Sequence, residues 1–328
     1  MKRFPIQTKG TKIFFNIDLI GYKKTGESIV LSITDELDKV LWCGIIDCFC
    51  YKRHNKTKNI LEEFGYGSNK SINFLCISHP DLDHIKTISK IFDDFCSEDS
   101  MILLPNFKDS NINQTNEIKK IKESLKNMLN VAHPRKSIPN NIFFNQKIGL
   151  VELKWEFIVG TKKYNLQIES LTPSDSIMLN STNFDYTQFK NDFSICLKIT
   201  FNNNVFLFMG DCTDNVLEEL DEYYIPDKLC YLKIPHHGCK NEMMEYYIDN
   251  NIINNIIVSG CAYRKNTTLK STLDYYKDNS ESLAVTGNIN HEKNTFSYGH
   301  VRHVYDIETG DIIADKCNKE GNGILKYS

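Results

Sequence analysis

The sequence has no run of eighteen uninterrupted apolar residues, and Met1 to Pro5 are not followed by the apolar core of a signal peptide. These absences argue against membrane-spanning helices and secretion, and they predict a soluble, cytoplasmic protein without membrane insertion. Its eleven cysteines, an odd number without paired spacing, fit reduced thiols better than a disulfide framework. Cys43, Cys48 and Cys50 could form a soft metal site, but their strand-like surroundings favour buried core thiols.

The chain also lacks the excess positive charge of a protein that coats nucleic acid. Its formal net charge is −3 and its pI is near 6.3, whereas non-specific duplex binding requires several Lys or Arg contacts to phosphates. A basic stretch at 115–132 carries apolar residues at helical spacing with lysines between them. We interpret it as the solvated face of a surface helix, with a substrate clamp as the alternative.

Strand-like runs dominate both halves of the chain, and turn residues separate them. They lie at residues 12–17, 28–33, 40–46, 72–77, 151–159, 165–171, 194–200, 205–209 and 229–234. The Asn-, Lys- and Ser-rich stretch 97–147 is predicted to be a helical insertion or lid. At 328 residues and 41% hydrophobic content the chain can bury a large core. Without an internal repeat or low-complexity linker, a single domain over 1–328 with two related halves is expected.

The most informative segment runs from Ser78 to His84 and reads SHPDLDH, directly after the apolar run 72–77. It places two histidines and two carboxylates within six residues. Imidazole nitrogen and carboxylate oxygen are the ligands of zinc, manganese and iron. An apolar stripe at 85–95 predicts a following helix, whose start Asp81 or Asp83 would cap. Capping would explain one aspartate, but not the other or the two histidines.

Two later strands also end in possible ligands. The run 205–209 is followed by Gly210 and Asp211, and the run 229–234 by Pro235, His236 and His237. Each pair alone could be an ordinary turn or exposed loop. Three clusters of His and Asp at strand ends could instead supply donors for two ions about 3.5–4 Å apart, the spacing used in hydrolytic displacement.

These motifs resemble the signature of the metallo-β-lactamase superfamily, and most closely the hydrolase domain of the DNA-uptake protein ComEC and its soluble relatives. The resemblance covers residues 13–273. Asp18, the Gly26-Glu27-Ser28 segment and Asp47 are similar to that family's opening strands, and 191–194 is similar to its Asn-Asp-x-Ser segment. The resemblance implies an α/β (α+β) fold, a four-layer αββα sandwich with the metals at one edge of its two sheets.

The resemblance also implies which residues hold two divalent ions, zinc or manganese with magnesium possible. The implied set is His79 and Asp81 for the first ion, Asp83 and His84 for the second, Asp211 as the bridge, His236 or His237 to complete the second site, and Asp47 in support. Asn191, Asp192 or water would replace a histidine that many superfamily members use. Asp81, where histidine is more usual, makes this implied site richer in oxygen and favours Mn²⁺ or Mg²⁺.

Several residues depart from the family pattern. Lys86 and Thr87 replace a Gly-Gly pair, Cys239 replaces a serine, and the later His-Pro element is not visible near 266–268. The histidines His291, His300 and His303 could replace that element, although lone loop histidines are the simpler interpretation. The membrane channel of ComEC is missing from this sequence, so DNA transport is not implied.

The predicted activity is metal-assisted hydrolysis by a phosphodiesterase, with DNA as the expected substrate of a nuclease. Asp83 would orient the attacking water, and His237 is the second catalytic candidate. Lys233, Lys240, Arg264 and Lys265 could contact phosphate or could be plain surface charge. Two alternatives remain open. One is a hydrolase of a cyclic nucleotide, lactone or amide, and the other is a non-catalytic metal-binding module of a larger complex.

Overall fold

A computed structural model describes most of the chain. The described residues are 5–22, 26–51, 54–79, 81–105, 142–145, 152–172, 190–220, 228–238, 242–250, 252–253, 255–258, 270–287, 298–321, 323 and 325. Lys240, Arg264, Lys265, His291 and the predicted helix at 115–132 lie outside them.

Strands make up most of the regular structure of these residues. They are β1 Ile6–Thr8, β2 Ile13–Tyr22, β3 Glu27–Asp35, β4 Val40–Ile46, β5 Phe74–Cys76, β6 Met101–Pro105, β7 Ile142–Asn145, β8 Glu152–Val159, β9 Lys162–Ser170, β10 Leu197–Phe201, β11 Asn204–Phe208, β12 Lys228–Leu229, β13 Tyr231–Lys233, β14 Ile252–Ile253, β15 Asn255–Val258, β16 Ser282–Val285, β17 Tyr298–Asp306 and β18 Asn318–Gly321. The α-helices are α1 Lys56–Glu63, α2 Leu82–Ile85, α3 Ile88–Phe95, α4 Asp214–Glu218, α5 Glu242–Asn250 and α6 Lys270–Asp278.

The strands form two large mixed sheets. The first has the order β1-β8-β9-β10-β11-β13-β15-β16, and the second β18-β17-β2-β3-β4-β5-β6-β7. Apart from β1, which pairs parallel with β8, a run of antiparallel strands in each sheet passes into a run of parallel ones, at β11 in the first sheet and at β4 in the second. The second sheet is built from strands between residues 13 and 145 together with β17 and β18, and the first from strands between residues 152 and 285 together with β1.

A shared apolar core joins the two sheets. Trp42 of β4 meets Trp155 of β8 with ring centroids 5.4 Å apart, and Phe15 of β2 meets Phe206 of β11 at 4.8 Å. All four side chains are buried. Aromatic pairs in such edge-to-face contact add to the free energy of burial. The protein is thus a mixed α+β protein whose two sheets pack against each other.

The helices contribute to two further apolar clusters. Residues of α1, α2 and α3 pack with residues of the second sheet, and residues of α4, α5 and α6 pack with residues of the first. The helix predicted at 85–95 is confirmed as α2 and α3, and its apolar stripe is buried. Of the two aspartates predicted to cap this helix, Asp81 occupies the N-cap position of α2 without a capping hydrogen bond from its side chain, and Asp83 lies in the first turn.

Two sequence interpretations need correction. The predicted insertion at 97–147 has sheet strands near both ends, β6 and β7, and 106–141 lie outside the described residues. His300 and His303 are not loop residues but buried residues of β17. His300 places Nε2 2.7 Å from the Asp18 carboxylate, so it belongs to a different polar group from the predicted ligands.

The expectation of core thiols is confirmed for Cys43, Cys48 and Cys50, which are all buried. The cysteines of the described residues carry thiols rather than disulfides, and burial raises the pKa of Cys48 to about 11. Searched over the same residues, the helices include none with the length and apolar character needed to cross a membrane.

Candidate metal centre

Two pairs of parallel strands, one pair in each sheet, lead to three predicted ligands and to the supporting Asp47. In the second sheet β4 and β5 run parallel and lead to Asp47 and His79, and in the first β11 and β13 lead to Asp211 and His237. Backbone hydrogen bonds fix these ends. The Ile195 N–H donates to the Ser78 carbonyl at 2.9 Å, and the His236 N–H donates to the Gly210 carbonyl at 3.1 Å. The Ser78 bond connects the two sheets' strand ends directly.

Asp47 supports one of the histidines. It is buried and adopts a left-handed backbone with φ of 56°, which is uncommon for a residue other than glycine. One carboxylate oxygen accepts the Ser78 N–H at 2.7 Å. The other lies 2.5 Å from Ser78 Oγ and 2.8 Å from His84 Nδ1. Because Asp47 holds Nδ1, the Nε2 atom of His84 is left to face the centre of the cluster.

Three buried polar atoms converge without hydrogen-bond partners. They are Nε2 of His79, Nε2 of His84 and Oδ1 of Asp211. The Asp211 carboxylate lies 3.7 Å from His79 Nε2, 3.4 Å from His84 Nε2 and 3.5 Å from His237 Nε2. Buried polar atoms normally have partners, because leaving one unsatisfied costs about 1–3 kcal/mol. A divalent cation among these atoms would satisfy all of them, so the donor set fits a metal ion.

Asp83 lies on the more accessible side of the same cluster. Its side chain is 25% exposed, and its Oδ2 lies 3.6 Å from His237 Nε2. Ligand atoms of Asp83, His84 and His237 all lie within 4.8 Å of one another, as do those of Asp47, His79 and His84. His84 therefore belongs to two overlapping groups, a deep one and one nearer the surface.

The charges in the cluster are strongly interdependent. Burial opposes ionisation of Asp211, but the His237, His84 and His79 imidazoles hold the pKa of its carboxyl well below the usual range. Burial disfavours protonation of His84 and His237, yet the Asp211 carboxylate, aided by other carboxylates, raises the pKa of His84 well above its usual value and that of His237 to about 9. For His79, burial and then the charge of His84 lower the pKa to about 3. A divalent ion held by the same atoms would therefore compete with protons for these imidazoles.

Of the two adjacent histidines, His237 is the one that faces the cluster. His237 is buried, whereas His236 is half-buried and its ring centroid lies 6.1 Å from that of His237. Burial lowers the pKa of His236. Both residues adopt left-handed backbones, with φ of 47° and 55°. Strained conformations of this kind persist where the surrounding structure fixes them, often at functional sites.

Gly210 allows Asp211 to approach the other ligands. Its φ is 55°, and a Cβ atom at this position would lie 3.1 Å from the Ile195 carbonyl oxygen. The Asp211 N–H is then anchored by Ser194 Oγ at 3.3 Å. A side chain at position 210 would therefore disturb the turn that delivers the central carboxylate.

Three residues that the resemblance implied as ligands, or as replacements for one, lie outside the two groups of ligand atoms. Asp81 is half-buried and belongs to neither group of ligand atoms found among the described residues. Asp192 accepts a hydrogen bond from Thr213 Oγ1 at 2.5 Å, and so fixes the residue before α4. Asn191 presents a buried side-chain oxygen without a hydrogen-bond partner, and its backbone carbonyl accepts the Ser194 N–H.

Lys233 is not a surface charge, because its side chain is fully buried. Its Nζ atom lies 2.8 Å from Glu27 Oε1 and donates to the Gly210 carbonyl at 3.3 Å. Glu27 also approaches His237, with Oε2 3.5 Å from Nδ1. Burial raises the pKa of the Glu27 carboxyl, but the Lys233 ammonium and the nearby histidines outweigh it and lower that pKa to about 2.

Sequence reasoning placed Glu27 in an opening strand and gave it no role. The available signal was a charged residue directly before the largely apolar run SIVLSI, where an unpaired carboxylate would be costly to bury. The supporting contacts of Ser78 and Ser194 were also not predicted, because serines next to such motifs are common in turns.

The sequence matches no protein-family model and no curated protein. Fold and cluster together define the class: a mixed α+β protein of two packed sheets, with a candidate metal centre of histidines and carboxylates at the ends of its parallel strands.

Proposed function

We propose that the protein is a metal-dependent hydrolase of phosphodiesters, and that DNA is its substrate. The observation that carries this proposal is the convergence of the buried Nε2 atoms of His79 and His84 on Asp211, with His237 and the partly exposed Asp83 beside them. Such a set suits an ion that is held firmly on one side and open to a substrate on the other.

We also propose that the fold is the four-layer αββα sandwich of the metallo-β-lactamase superfamily and that the chain is one domain. Helices pack with both sheets, and the sheets share a core. The motif order from His79 through Asp211 to His237 supports the same assignment. The cytoplasm is the proposed location, and its reducing conditions agree with the buried thiols.

The metal centre would be held by His79, His84, His237, Asp211 and Asp83. With Asp81 outside the ligand groups, three imidazoles dominate the set, so zinc now precedes manganese and magnesium in the order of preference. Two ions remain our proposal, because the Asp211 carboxylate lies within 3.7 Å of three imidazoles and Asp83 adds a second carboxylate beside His237. When bound, such ions supply an activated water and stabilise charge on the phosphate oxygens.

The residues of the chain have separable tasks in this reaction. Asp83 is the most exposed carboxylate of the cluster, so it is placed to accept a hydrogen bond from the attacking water and to orient it. His237 lies next to Asp83 and is the second catalytic candidate. Asp47 fixes the orientation of His84 through Nδ1 and takes no part in bond breaking.

The direct test is hydrolysis of bis-p-nitrophenyl phosphate and of labelled single- and double-stranded DNA with Zn²⁺, Mn²⁺ or Mg²⁺. Wild type is compared with Asp83→Ala and with Asp94→Ala, an exposed aspartate of α3 that serves as the control. We expect cleavage by wild type and Asp94→Ala and a loss of cleavage in Asp83→Ala. Metal binding without cleavage of any phosphodiester would overturn the proposal and favour a non-catalytic metal-binding module.

One observation favours a second candidate, a hydrolase of a small molecule such as a cyclic nucleotide, lactone or amide. Lys233, which the sequence offered as a phosphate contact, is buried and engaged by Glu27. A small pocket needs no extended basic surface, and the net charge of −3 agrees with this. Oligonucleotide affinity that falls steeply with salt supports the nuclease, and affinity without salt dependence supports the small-molecule enzyme.

A further inference from the structure

We propose that Glu27 is a positioning residue for His237, and that Lys233 holds the Glu27 carboxylate in place for this task. The proposal rests on the metal centre described above. The task assigned to Glu27 is the orientation of one metal ligand.

The two oxygens of Glu27 are divided between two partners. Oε1 lies 2.8 Å from the Lys233 ammonium, and Oε2 lies 3.5 Å from Nδ1 of the His237 ring. Glu27 and Lys233 are both buried, with 1% and 0% of their side chains exposed. With Nδ1 directed to a carboxylate, the proton of neutral His237 is favoured at Nδ1, and Nε2 would present its lone pair to an ion held beside Asp211.

The same arrangement occurs at His84, where Asp47 lies 2.8 Å from Nδ1 and Nε2 faces Asp211. Two ligand imidazoles are thus each backed by a buried carboxylate. The two pairs differ in which sheets supply the carboxylate and the histidine. Asp47 and His84 both come from the second-sheet half of the chain, whereas Glu27 begins β3 of the second sheet and reaches His237, which follows β13 of the first.

Lys233 connects the two turns that bring first-sheet ligands to the cluster. Besides binding Glu27, its ammonium donates to the carbonyl of Gly210, the residue before Asp211. A displacement of Glu27 would therefore shift both His237 and the turn that carries Asp211.

A purely structural role does not explain why a charged pair is buried at this position. Burying a lysine and a glutamate costs solvation free energy that their attraction only partly returns, and apolar residues of similar size often leave stability unchanged. The contact with His237 gives the buried pair a task that apolar residues cannot perform.

This difference defines the decisive variant, Glu27→Leu/Lys233→Met, which removes both charges together. We expect thermal unfolding of the metal-free protein to stay close to wild type. We expect Zn²⁺ affinity, measured by competition with a chromophoric chelator, to fall by about 10–100-fold, the usual loss when a partner of a ligand histidine is removed. The visible absorption of bound Co²⁺ should change as well, because it depends on ligand geometry.

Glu27→Gln/Lys233→Met is the conservative variant. Its amide carbonyl can still accept the Nδ1 proton of His237, so part of the lost affinity should return. Asp18→Asn is the matched control. Asp18 is another buried carboxylate shared by a histidine and a cation, His300 at 2.7 Å and Arg302 at 2.6 Å, but it is outside the metal cluster. Asp18→Asn should leave the Zn²⁺ affinity of the folded protein unchanged.

Unchanged Zn²⁺ affinity and an unchanged Co²⁺ spectrum in Glu27→Leu/Lys233→Met would overturn the proposal. Failure of both double variants to fold would overturn it too, since the pair would then serve the fold alone. If wild type binds no metal, the proposed metal centre falls together with this inference. If wild type binds Zn²⁺ but cuts no phosphodiester, only the proposed hydrolase falls, and the affinity comparison still decides the role of Glu27.

Discussion

Replacing His303 by Phe should remove a marked acid sensitivity from the folded protein. His303 is buried in β17, its Nδ1 has no hydrogen-bond partner, and its ring meets Tyr231 at 5.9 Å and Tyr305 at 6.4 Å. Burial lowers the pKa of His303 to about 4, from an ordinary value of 6.5. His303 is therefore harder to protonate in the folded protein than in the unfolded chain.

The sign and size of the effect follow from proton linkage. Between pH 6.5 and 4 the unfolded chain binds more protons at His303 than the folded protein, so stability falls as the pH falls. Above pH 6.5 the contribution is fully present, and below pH 4 no further loss occurs. At ~1.4 kcal/mol per pH unit, the free energy of unfolding lost over this interval amounts to about 3 kcal/mol.

Urea unfolding of wild type and His303→Phe across this pH range measures the effect. The free energy of unfolding of the variant, relative to wild type, should rise by about 3 kcal/mol between pH 7 and pH 4. Tyr231→Phe is the control, because it changes the neighbouring ring without removing the imidazole, and it should retain the wild-type acid slope. A difference between wild type and His303→Phe that does not vary with pH would refute the reasoning.

Three further predictions concern the turn, the support of the ligands and the core. Gly210→Ala should destabilise the protein by about 1–2 kcal/mol in urea unfolding and weaken Zn²⁺ binding, because of its positive φ and the close Ile195 carbonyl; a fully stable variant with wild-type affinity would contradict this. Asp47→Asn should lower Zn²⁺ affinity by about 10–100-fold in chelator competition, since His84 loses its carboxylate; an unchanged affinity would remove Asp47 from the site. Phe206→Ala should cost about 3–5 kcal/mol of unfolding free energy, because a fully buried ring is lost between the sheets; a smaller loss would mean that the core collapses around the cavity.

Strands with continuous apolar runs could be predicted from the sequence, and 40–46 coincides with β4. Tyr298–Asp306 could not, because its glycine, two histidines and arginine interrupt the apolar pattern. The structure explains these polar residues by long-range pairing. His300 and Arg302 both bind Asp18 of β2, which is far away in the sequence.

The ligand cluster was predictable where its pattern is local. His79, Asp83 and His84 lie together in one segment, and Asp211 and His237 follow apolar strands. The exclusion of Asp81 from the ligand groups was not predictable, because the spacing alone does not show which aspartate faces the cluster. The contact of Glu27 with His237 depends on how two sheets dock, and no spacing along the chain encodes that distance.

The origin of the ligands in two separate sheets has a consequence for variants far from the centre. Asp47 and His79 move with one sheet and Asp211 and His237 with the other, and the interface between the sheets is an apolar core. A volume-conserving core substitution can preserve stability while shifting one sheet slightly against the other. The dissociation constant of a bound ion would then report intersheet alignment, and core variants ranked by affinity should fall in a different order from the same variants ranked by melting temperature.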